Sequence, residues 1–552
     1  MTPLHHLDSL GEPVATNLVN LDAMIRREDL VSFTETGEYE KAEKVSILQL
    51  GPGITFFTSD IRKPDFQRET SGWSPTQVVD LISSFLSGDL VPGVILWKPT
   101  TSQYIFVIDG GHRISALMAW INDDYGDRNM SVEFFKTIPP EQKNAAEKTR
   151  KLINATVGSW DEHERAKQLP EAARPHVKEQ ADRLSTLALR IQWVTGNADK
   201  AEKSFFKINQ SGTPIDEAEL KILRSRRLPN AIAARAMMRG GTGHQFWHTF
   251  DDDKRQGIKS ISADLYQILF SPPLNMPIKT LDLPVAGRPQ LSLIFDFVNL
   301  ANNEILQSSI LTPSKMRAKF LELTPAEEEK VDTDGSKTLK YLEATRSLAR
   351  RLSGREKQSL GLHPAIYFYS AIGRYQPSAF LAISGFIKDL IEKDQLPLFT
   401  KHRAVFEDFL LVNKDLNNQF IRKLGAAARP FVRMKEYYHF ILHQLRAGKD
   451  ASQIVQSLSE DTRFQFLKAT SEFETESTAR DFNSPLKSAV FLKEALEAPR
   501  ERCGVCGARM HVNSISIDHI VKRADGGLAI LENGQLTHPY CNSIKDKLEA
   551  QK

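Results

Sequence analysis

The stretch Cys503–Lys547, CGVCGARMHVNSISIDHIVKRADGGLAILENGQLTHPYCNSIKDK, decides how the end of this 552-residue chain folds. It holds all three cysteines of the protein, Cys503, Cys506 and Cys541. Two residues separate Cys503 from Cys506, and His538 and Cys541 repeat that spacing farther along. Two such pairs bring four sulfur and nitrogen ligands to the corners of a tetrahedron, which suits Zn²⁺.

The four ligands predict a structural zinc rather than a catalytic one, because they leave no open coordination position. A segment this small cannot build a sufficient apolar core without a metal or a similar cross-link. The alternative is three buried cysteines beside an unrelated histidine. The repeated spacing favours the metal, since it uses every cysteine in the chain.

The residues between the two ligand pairs predict a strand, a loop, a second strand and a terminal helix. Alternation in SISID, residues 514–518, is typical of a strand, and the glycine pair at 526–527 indicates the loop. NSIKDKLEAQ predicts the helix. Four polar residues fall at the strand end, in the loop region and at the helix start: Asp518, His519, Asn533 and Asn542.

This order of motifs resembles the HNH endonucleases, which use a ββα-metal fold. His538 departs from many members, which have cysteine there, but histidine also binds zinc. The resemblance implies that His519 is the general base and that Asp518 and Asn542 hold one Mg²⁺ or Mn²⁺. It implies that Asn533 holds the loop that orients the histidine. Taken alone, the Asp-His pair would favour a capping carboxylate beside a packed histidine, and only its place between the two ligand pairs favours catalysis.

Basic side chains near this motif are candidate contacts to DNA phosphate. From position 502 to the end, seven Lys and Arg face five Asp and Glu, a weak electrostatic footprint. An ordinary solvated surface is the alternative for each. The candidates are Lys522, Arg523, Lys545 and Lys547, together with Arg502 and Arg509.

The first third of the chain carries a second set of motifs. YIFVIDGGHRISALMAWIND, residues 104–123, predicts a strand, a tight Gly-Gly turn and a helix. Upstream, Ser74 and Pro75 predict a helix start, and GVILW predicts a short strand. LRIQWVTG predicts another strand, and FFKINQSGTPIDEAEL follows it.

Three of these segments, FQR with its helix, VIDGGHR and FFKINQSGTPIDEAEL, resemble in their order a ParB-like domain with a DGQHR or DGQQR signature. That domain occurs in type IV and other modification-sensing restriction proteins, and the likeness covers roughly residues 50 to 225. The resemblance implies binding of a nucleotide or of DNA, and some members hydrolyse a nucleoside triphosphate.

The residue chemistry of this segment is compatible with such a site. Gly110 and Gly111 let backbone N–H groups approach an anion at a helix N-terminus. Arg68 and Arg113 can form charge-assisted bonds to phosphate, while Asp109 can hold a cation or orient Arg113. Further candidates, an acid/base and two polar side chains, are His112, Gln67 and Asn209.

One departure and one alternative bear on this site. Gly111 stands where the family usually has glutamine, which weakens the expectation of hydrolysis more than that of binding. The alternative is a strand–turn–helix corner in which Asp109 and Arg113 form a buried ion pair.

Composition indicates a globular chain with large apolar cores, since 41% of residues are apolar and 26% are charged, and the cysteines and the start of the chain favour a cytoplasmic protein. Three cysteines cannot form a paired disulfide framework, and the start of the chain has no secretion signal. No apolar run approaches the roughly 18–20 residues that span a bilayer. A net charge of +3 is too small to indicate nucleic acid, so any DNA-binding surface must be local.

These observations predict an α+β multidomain chain. We expect a ParB-like α/β domain at 1–230, a mainly helical domain at 231–495 and the zinc-stapled ββα-metal module at 496–552. In the helical part, His439 and His443 have a metal-ligand spacing, but they lack the glutamate of H-E-x-x-H and are interpreted as residues of an ordinary amphipathic helix.

The two resemblances together imply a metal-dependent DNA endonuclease of antiviral defence, either a nickase or a double-strand cutter, controlled by a nucleotide or by DNA modification. The alternatives are a repair or mobile-element nuclease, a non-catalytic DNA-binding regulator, and an enzyme whose main output is hydrolysis of a nucleoside triphosphate. The intact set of Asp518, His519, Asn533 and Asn542 argues against the regulator. Cleavage sequence, nicking against double-strand cutting, and homo-oligomer formation stay open.

Overall fold

A computed structural model of the protein describes residues 18–28, 30, 41–51, 56–65, 67, 70, 72–99, 102–211, 217–270, 291–306, 323–371, 373–426, 428–468, 502–511 and 514–549. The chain divides into two units. One is Met1–Ile215 with Thr242–Gln245, and the other is Asp216–Gly241 with Phe246–Lys552. The expected boundaries at 230 and 495 stay predictions.

The first unit is built on a mixed six-stranded sheet. Its strands are β1 (Arg27–Glu28), β2 (Lys44–Ser46), β3 (Ile61–Pro64), β4 (Val94–Trp97), β5 (Ile105–Asp109) and β6 (Ala188–Trp193). They lie in the order β1-β3-β5-β4-β6-β2. The β4–β5 and β2–β6 pairs are antiparallel and the other three pairs are parallel. Strands β4, β5 and β6 confirm those predicted from GVILW, YIFVID and LRIQW.

Helices cover this sheet and connect its strands. They are α1 (Phe56–Asp60), α2 (Pro75–Ser87), α3 (Gly111–Asn122), α4 (Asn129–Phe135), α5 (Pro140–Thr156), α6 (Trp160–Gln168), α7 (Pro175–Arg183) and α8 (Ala198–Ser211). The predicted start of α2 is confirmed, since the Ser74 side chain accepts from the backbone N–H of Gln77 and Pro75 is the first helical residue. The apolar face of α2 packs into the core of this unit.

The second unit is mainly helical, as the sequence predicted for residues 231–495 of the chain. Its helices are α9 (Glu217–Arg224), α10 (Pro229–Met238), α11 (Asp252–Phe270), α12 (Leu291–Ala301), α13 (Pro325–Glu328), α14 (Ser336–Leu352), α15 (Pro364–Tyr367), α16 (Pro377–Glu392), α17 (Leu396–Val412), α18 (Asp415–Leu424), α19 (Phe431–Arg446), α20 (Ala451–Glu460) and α21 (Pro539–Glu549). Helix α16 is buried nearly all round, from Ser378 to Ile387, and so forms the centre of the core.

The end of the chain forms a hairpin and a helix, which confirms the predicted strand–loop–strand–helix order. Strand β7 (Ser516–His519) pairs antiparallel with β8 (Gly534–Thr537). In this register Asp518 lies opposite Gln535. Helix α21 packs against β7 and against α17, so the hairpin and the helical core belong to one unit.

Among the described helices, none is both long enough and apolar enough to cross a membrane.

Candidate metal centre and active site

The four predicted metal ligands converge at one point. Cys503 and Cys506 lie in a tight turn, in which Cys503 N donates to Ala508 O at 3.0 Å. His538 directly follows β8, and Cys541 lies in the first turn of α21. The ligand atoms of the two pairs all lie within 4.8 Å of one another. In the described part of the chain this is the one group of His, Cys, Asp and Glu with metal-binding spacing.

The geometry of the cluster fits a tetrahedral zinc ion. His538 Nδ1 lies 3.5 Å from Cys506 Sγ and 3.8 Å from Cys541 Sγ. Bond lengths of about 2.3 Å to sulfur and 2.0–2.1 Å to nitrogen give a tetrahedral S···N separation of about 3.5 Å. The other ring nitrogen, Nε2, donates to Arg509 O at 3.1 Å, which fixes the tautomer that offers Nδ1 to a metal. The site therefore fits a structural metal such as zinc.

The thiols of the cluster are strongly coupled. Hydrogen bonds from Cys506 and Cys541 lower the pKa of Cys503 well below its ordinary value. The same contact with Cys503 raises the pKa of Cys541. Charge on one sulfur thus opposes charge on the next, and a shared divalent cation is what lets all three ionise together.

The predicted catalytic residues lie beside this cluster, on the hairpin and on α21. Asp518 and His519 are the last two residues of β7. The amide nitrogen of Asn542 donates to Ser516 Oγ at 2.8 Å and to Ile517 O at 3.1 Å. The structure thus brings the Asp-His pair and Asn542 to one strand.

Asn533 joins the two sides of the loop between β7 and β8. Its side-chain oxygen accepts from Val521 N at 2.7 Å, and its amide nitrogen donates to Val521 O and Leu528 O at 3.1 and 2.8 Å. Its backbone oxygen accepts from Ile520 N at 2.8 Å. The loop that follows His519 is therefore held by one buried amide.

The carboxylate of Asp518 is held by two donors. Gln535 Nε2 donates to Asp518 Oδ2 at 2.8 Å, and Lys545 Nζ lies 3.1 Å from the same oxygen. Lys545 also donates to His519 O at 2.6 Å and to Ile520 O at 3.3 Å. Its side chain is 12% exposed. An ammonium group with three protein acceptors differs from the surface phosphate contact that the sequence predicted for this lysine.

The other basic candidates differ in their surroundings. Arg509 pairs with Asp408 of α17 at 2.6 Å, and Arg502 lies 3.5 Å from the same carboxylate. Lys522 pairs with Asp546 at 2.6 Å. Arg523 and Lys547 are exposed, as is Arg502.

The candidate residues of the first unit meet where β5 turns into α3. Gly110 is the N-cap residue of α3. Its φ of +92° lies in the left-handed region, which glycine adopts without strain because it has no Cβ. Asp109 and Arg113 form an ion pair at 2.7 Å, and Arg113 also donates to Gly93 O at 2.9 Å. His112 stacks on Trp73 with ring centroids 5.3 Å apart.

Gln67 reaches this turn from a neighbouring segment. Its amide nitrogen donates to Val107 O of β5 at 3.2 Å, and a Cβ at Gly111 would lie 3.4 Å from its side-chain oxygen. That oxygen has no partner among the described residues. Arg68 lies outside the described residues. Asn209 lies in α8, which packs against β5, but its side chain is outside the description.

Sequence reasoning missed Gln535, which contacts Asp518. It also missed Arg403 and Glu407, which pair with each other, and Glu407 reaches the backbone of Arg509 next to the metal cluster. The register of a β-hairpin places a residue directly opposite each partner, so pairing Asp518 with β8 would have indicated Gln535. Arg403 and Glu407 stand at i and i+4 within the apolar helix α17, a pattern that indicates a buried ion pair. In the other histidine pair, His439 Nε2 lies 2.9 Å from Asp389 Oδ2 and His443 is exposed, and its interpretation as part of an ordinary amphipathic helix stays a prediction.

Comparisons with known families agree with both sequence resemblances. Residues 54–226 match the family model described as the GmrSD restriction endonuclease, N-terminal domain. Residues 503–548 match the family model described as the HNH endonuclease. No curated protein and no solved structure matches the chain.

The chain therefore joins a GmrSD-type N-terminal domain to an HNH endonuclease domain, and this pairing supports a restriction-type HNH nuclease. Nuclease domains of this kind imply DNA as the substrate. A ParB-like sensing role, nucleotide hydrolysis and a catalytic Mg²⁺ or Mn²⁺ stay predictions.

Proposed function

We propose that this protein cuts invading DNA in restriction-type defence, with His519 as the general base and Asp518 and Asn542 as ligands of a catalytic Mg²⁺ or Mn²⁺. One observation carries the proposal. Asp518 and His519 end strand β7, and Asn542 of α21 hydrogen-bonds to the same strand, next to a cluster that fits zinc.

The chemistry follows from the residue types. A neutral imidazole takes the proton of the attacking water at a ring nitrogen. A hard cation held by oxygen ligands neutralises charge on the phosphate and on the leaving oxygen. Because the amide nitrogen of Asn542 is used by β7, its oxygen is the ligand atom.

Two further residues keep these groups in place. Asn533 fixes the loop after His519 through its three side-chain hydrogen bonds. Lys545 ties α21 to the end of β7 by contacting both Asp518 and the backbone of His519. The exposed residues Arg523 and Lys547 contact DNA phosphate, and Lys522 does so when it exchanges Asp546 for a phosphate.

The GmrSD-type domain senses a nucleotide or modified DNA at the turn between β5 and α3. Support comes from the left-handed Gly110 at the N-terminus of α3, where backbone N–H groups attract an anion. Arg113 adds a cation, and Gln67 offers a polar group next to Gly111, where the family usually has a glutamine. The opposing interpretation, a purely structural corner, keeps the Asp109–Arg113 pair but predicts no ligand.

Cleavage of supercoiled plasmid with added Mg²⁺ or Mn²⁺ tests the nuclease proposal. Wild type should relax or linearise the plasmid, and D518N should not, although both bind the same amount of zinc. D525N is the matched control, because Asp525 is an exposed carboxylate of the same module. Equal cleavage by D518N and D525N would contradict the assignment. Nucleotides and modified DNA are the next variables.

A further inference from the structure

Helix α17 of the helical core places a fully buried ion pair next to the metal cluster. Arg403 Nε lies 2.8 Å from Glu407 Oε1, and both side chains are 0% exposed. Arg403 also donates to Leu360 O at 2.6 Å and to Gly361 O at 3.2 Å. A buried ion pair in an apolar core is costly to form, so it calls for a reason beyond stability.

The carboxylate of this pair is linked to the zinc-ligand histidine through the backbone of Arg509. Glu407 Oε2 accepts from Arg509 N at 3.1 Å. The carbonyl oxygen of Arg509 in turn accepts from His538 Nε2 at 3.1 Å. Tyr367 donates to the other carboxylate oxygen at 2.9 Å. A metal-ligand histidine is commonly oriented by a carboxylate, carbonyl or water that accepts from its other ring nitrogen. Here the acceptor is the carbonyl of Arg509, and Glu407 holds the N–H of that residue.

The arginine of the pair matches the charge of the metal centre. Burial alone would lower the pKa of Arg403, but the charge of Glu407 raises it above its ordinary value. The thiols of Cys506 and Cys541 add to this favourable charge interaction. Zn²⁺ with three thiolates and a neutral imidazole carries a net negative charge, so a permanent buried cation nearby stabilises the loaded centre.

Further contacts join the helical core to the segments that carry the metal ligands. Tyr540 N, next to Cys541, donates to Ser359 O at 3.0 Å, and Gly354 N donates to Ser514 Oγ at 3.0 Å. A Cβ at Gly507 would meet the Cβ of Ala404 at 3.6 Å. The turn that carries the first ligand pair therefore rests on α17.

We propose that Arg403 and Glu407 are positioning residues of the zinc centre, so that the helical core and the metal form one cooperative unit. The helical region is then part of the nuclease module rather than a spacer. Zinc binding orders α17 as well as the ligand turns, and loss of zinc loosens both. This goes beyond the proposed nuclease activity and does not depend on it.

The first test is the rate of zinc release from the full-length protein into excess of the chromogenic chelator 4-(2-pyridylazo)resorcinol. Glu407→Gln puts an N–H group against the N–H donors of Arg403 or Arg509, so the backbone of Arg509 loses its support. Zinc release should then be about 10- to 100-fold faster than from wild type. Glu392→Gln is the matched control, since Glu392 forms an exposed i,i+4 pair with Lys388 on α16. Equal release from all three proteins would overturn the proposal.

A second measurement needs no variant, so it holds even if E407Q does not fold. Hydrogen exchange followed by mass spectrometry compares wild type before and after zinc removal. Exchange should rise in α17 as well as in the ligand turns, while β5 of the first unit stays protected. Unchanged protection of α17 after zinc removal would overturn the coupling.

Replacing zinc with Co²⁺ adds a spectroscopic readout, in which E407Q should shift the ligand-field bands and E392Q should not.

Discussion

Lys545 Nζ lies 3.1 Å from Asp518 Oδ2 and 2.6 Å from the backbone oxygen of His519. One ammonium group on α21 thus contacts both members of the Asp-His pair proposed for catalysis. Since all three acceptors of Lys545 are protein groups, its loss changes the geometry of the site rather than the charge that DNA meets.

Lys545→Met should therefore lower the rate of plasmid cleavage by about 100-fold, the typical cost of a misplacement of about 1 Å in a catalytic site. The fall should be in kcat, with KM for DNA little changed. Lys547→Met is the control, because Lys547 is exposed on the same helix and its loss should raise KM and flatten the salt dependence. If the two variants behave alike, the positioning role is wrong.

Asn533→Ala should destabilise the hairpin. The substitution removes three side-chain hydrogen bonds at a buried position and leaves backbone groups of Val521 and Leu528 without their partner. The expected loss in the free energy of unfolding of the second unit is about 1–3 kcal/mol, measured by urea unfolding of zinc-loaded protein. Asn542→Ala should cost less stability, since that side chain is half-buried, yet it should abolish cleavage. If N533A were as stable as wild type, Asn533 would not hold the loop between β7 and β8.

Arg113→Ala should weaken binding of a nucleoside triphosphate by about 10- to 100-fold, the value of one or two hydrogen bonds to a charged group. Fluorescence anisotropy with a labelled nucleoside triphosphate measures it. Arg128→Ala is the matched control, because Arg128 also pairs with an aspartate, Asp123, at a more exposed position. No binding by wild type, or equal binding by the two variants, would favour a purely structural corner at Asp109 and Arg113.

Lys414 gives the helical core a pH dependence. Burial lowers the pKa of Lys414 from 10.5 to about 7, and its ammonium contacts the backbone oxygens of Ala365 and Tyr369. Between about pH 7 and 10 the unfolded chain keeps this proton while the folded chain loses it. The free energy of unfolding should therefore rise with pH in that window, by about 1.4 kcal/mol per pH unit from this group.

Lys414→Met should remove that slope, because the variant has no proton to release there. Urea unfolding at several pH values between 7 and 10 measures the difference from wild type. Lys423→Met, at an exposed position of α18, should keep the wild-type slope. The same slope in K414M and in wild type would mean that Lys414 stays charged in the folded protein.

The local order of the hairpin module could be predicted because its signals are local. The two ligand pairs repeat one spacing, and SISID alternates, so the zinc ligands and β7 follow from neighbouring residues. The start of α2 was equally local, since Ser74 caps the helix that Pro75 begins.

Contacts between distant segments could not be predicted in this way. The contact of Arg509 with Glu407 joins positions 102 residues apart, so only packing of the helical core brings them together. From the sequence, Lys545 was a candidate contact to DNA phosphate, with an ordinary solvated surface as the alternative. Its inward position depends on how α21 packs on β7, which no spacing within the helix reveals.

The most direct test of the central claim is the rate of supercoiled plasmid cleavage by wild type, His519→Ala and His443→Ala at equal zinc content. His443 is an exposed histidine of α19, so it controls for loss of an imidazole far from the proposed chemistry. We expect wild type and H443A to cut with Mg²⁺ or Mn²⁺ and H519A to lose cleavage while it keeps its zinc. Cleavage by H519A at the wild-type rate would contradict the account.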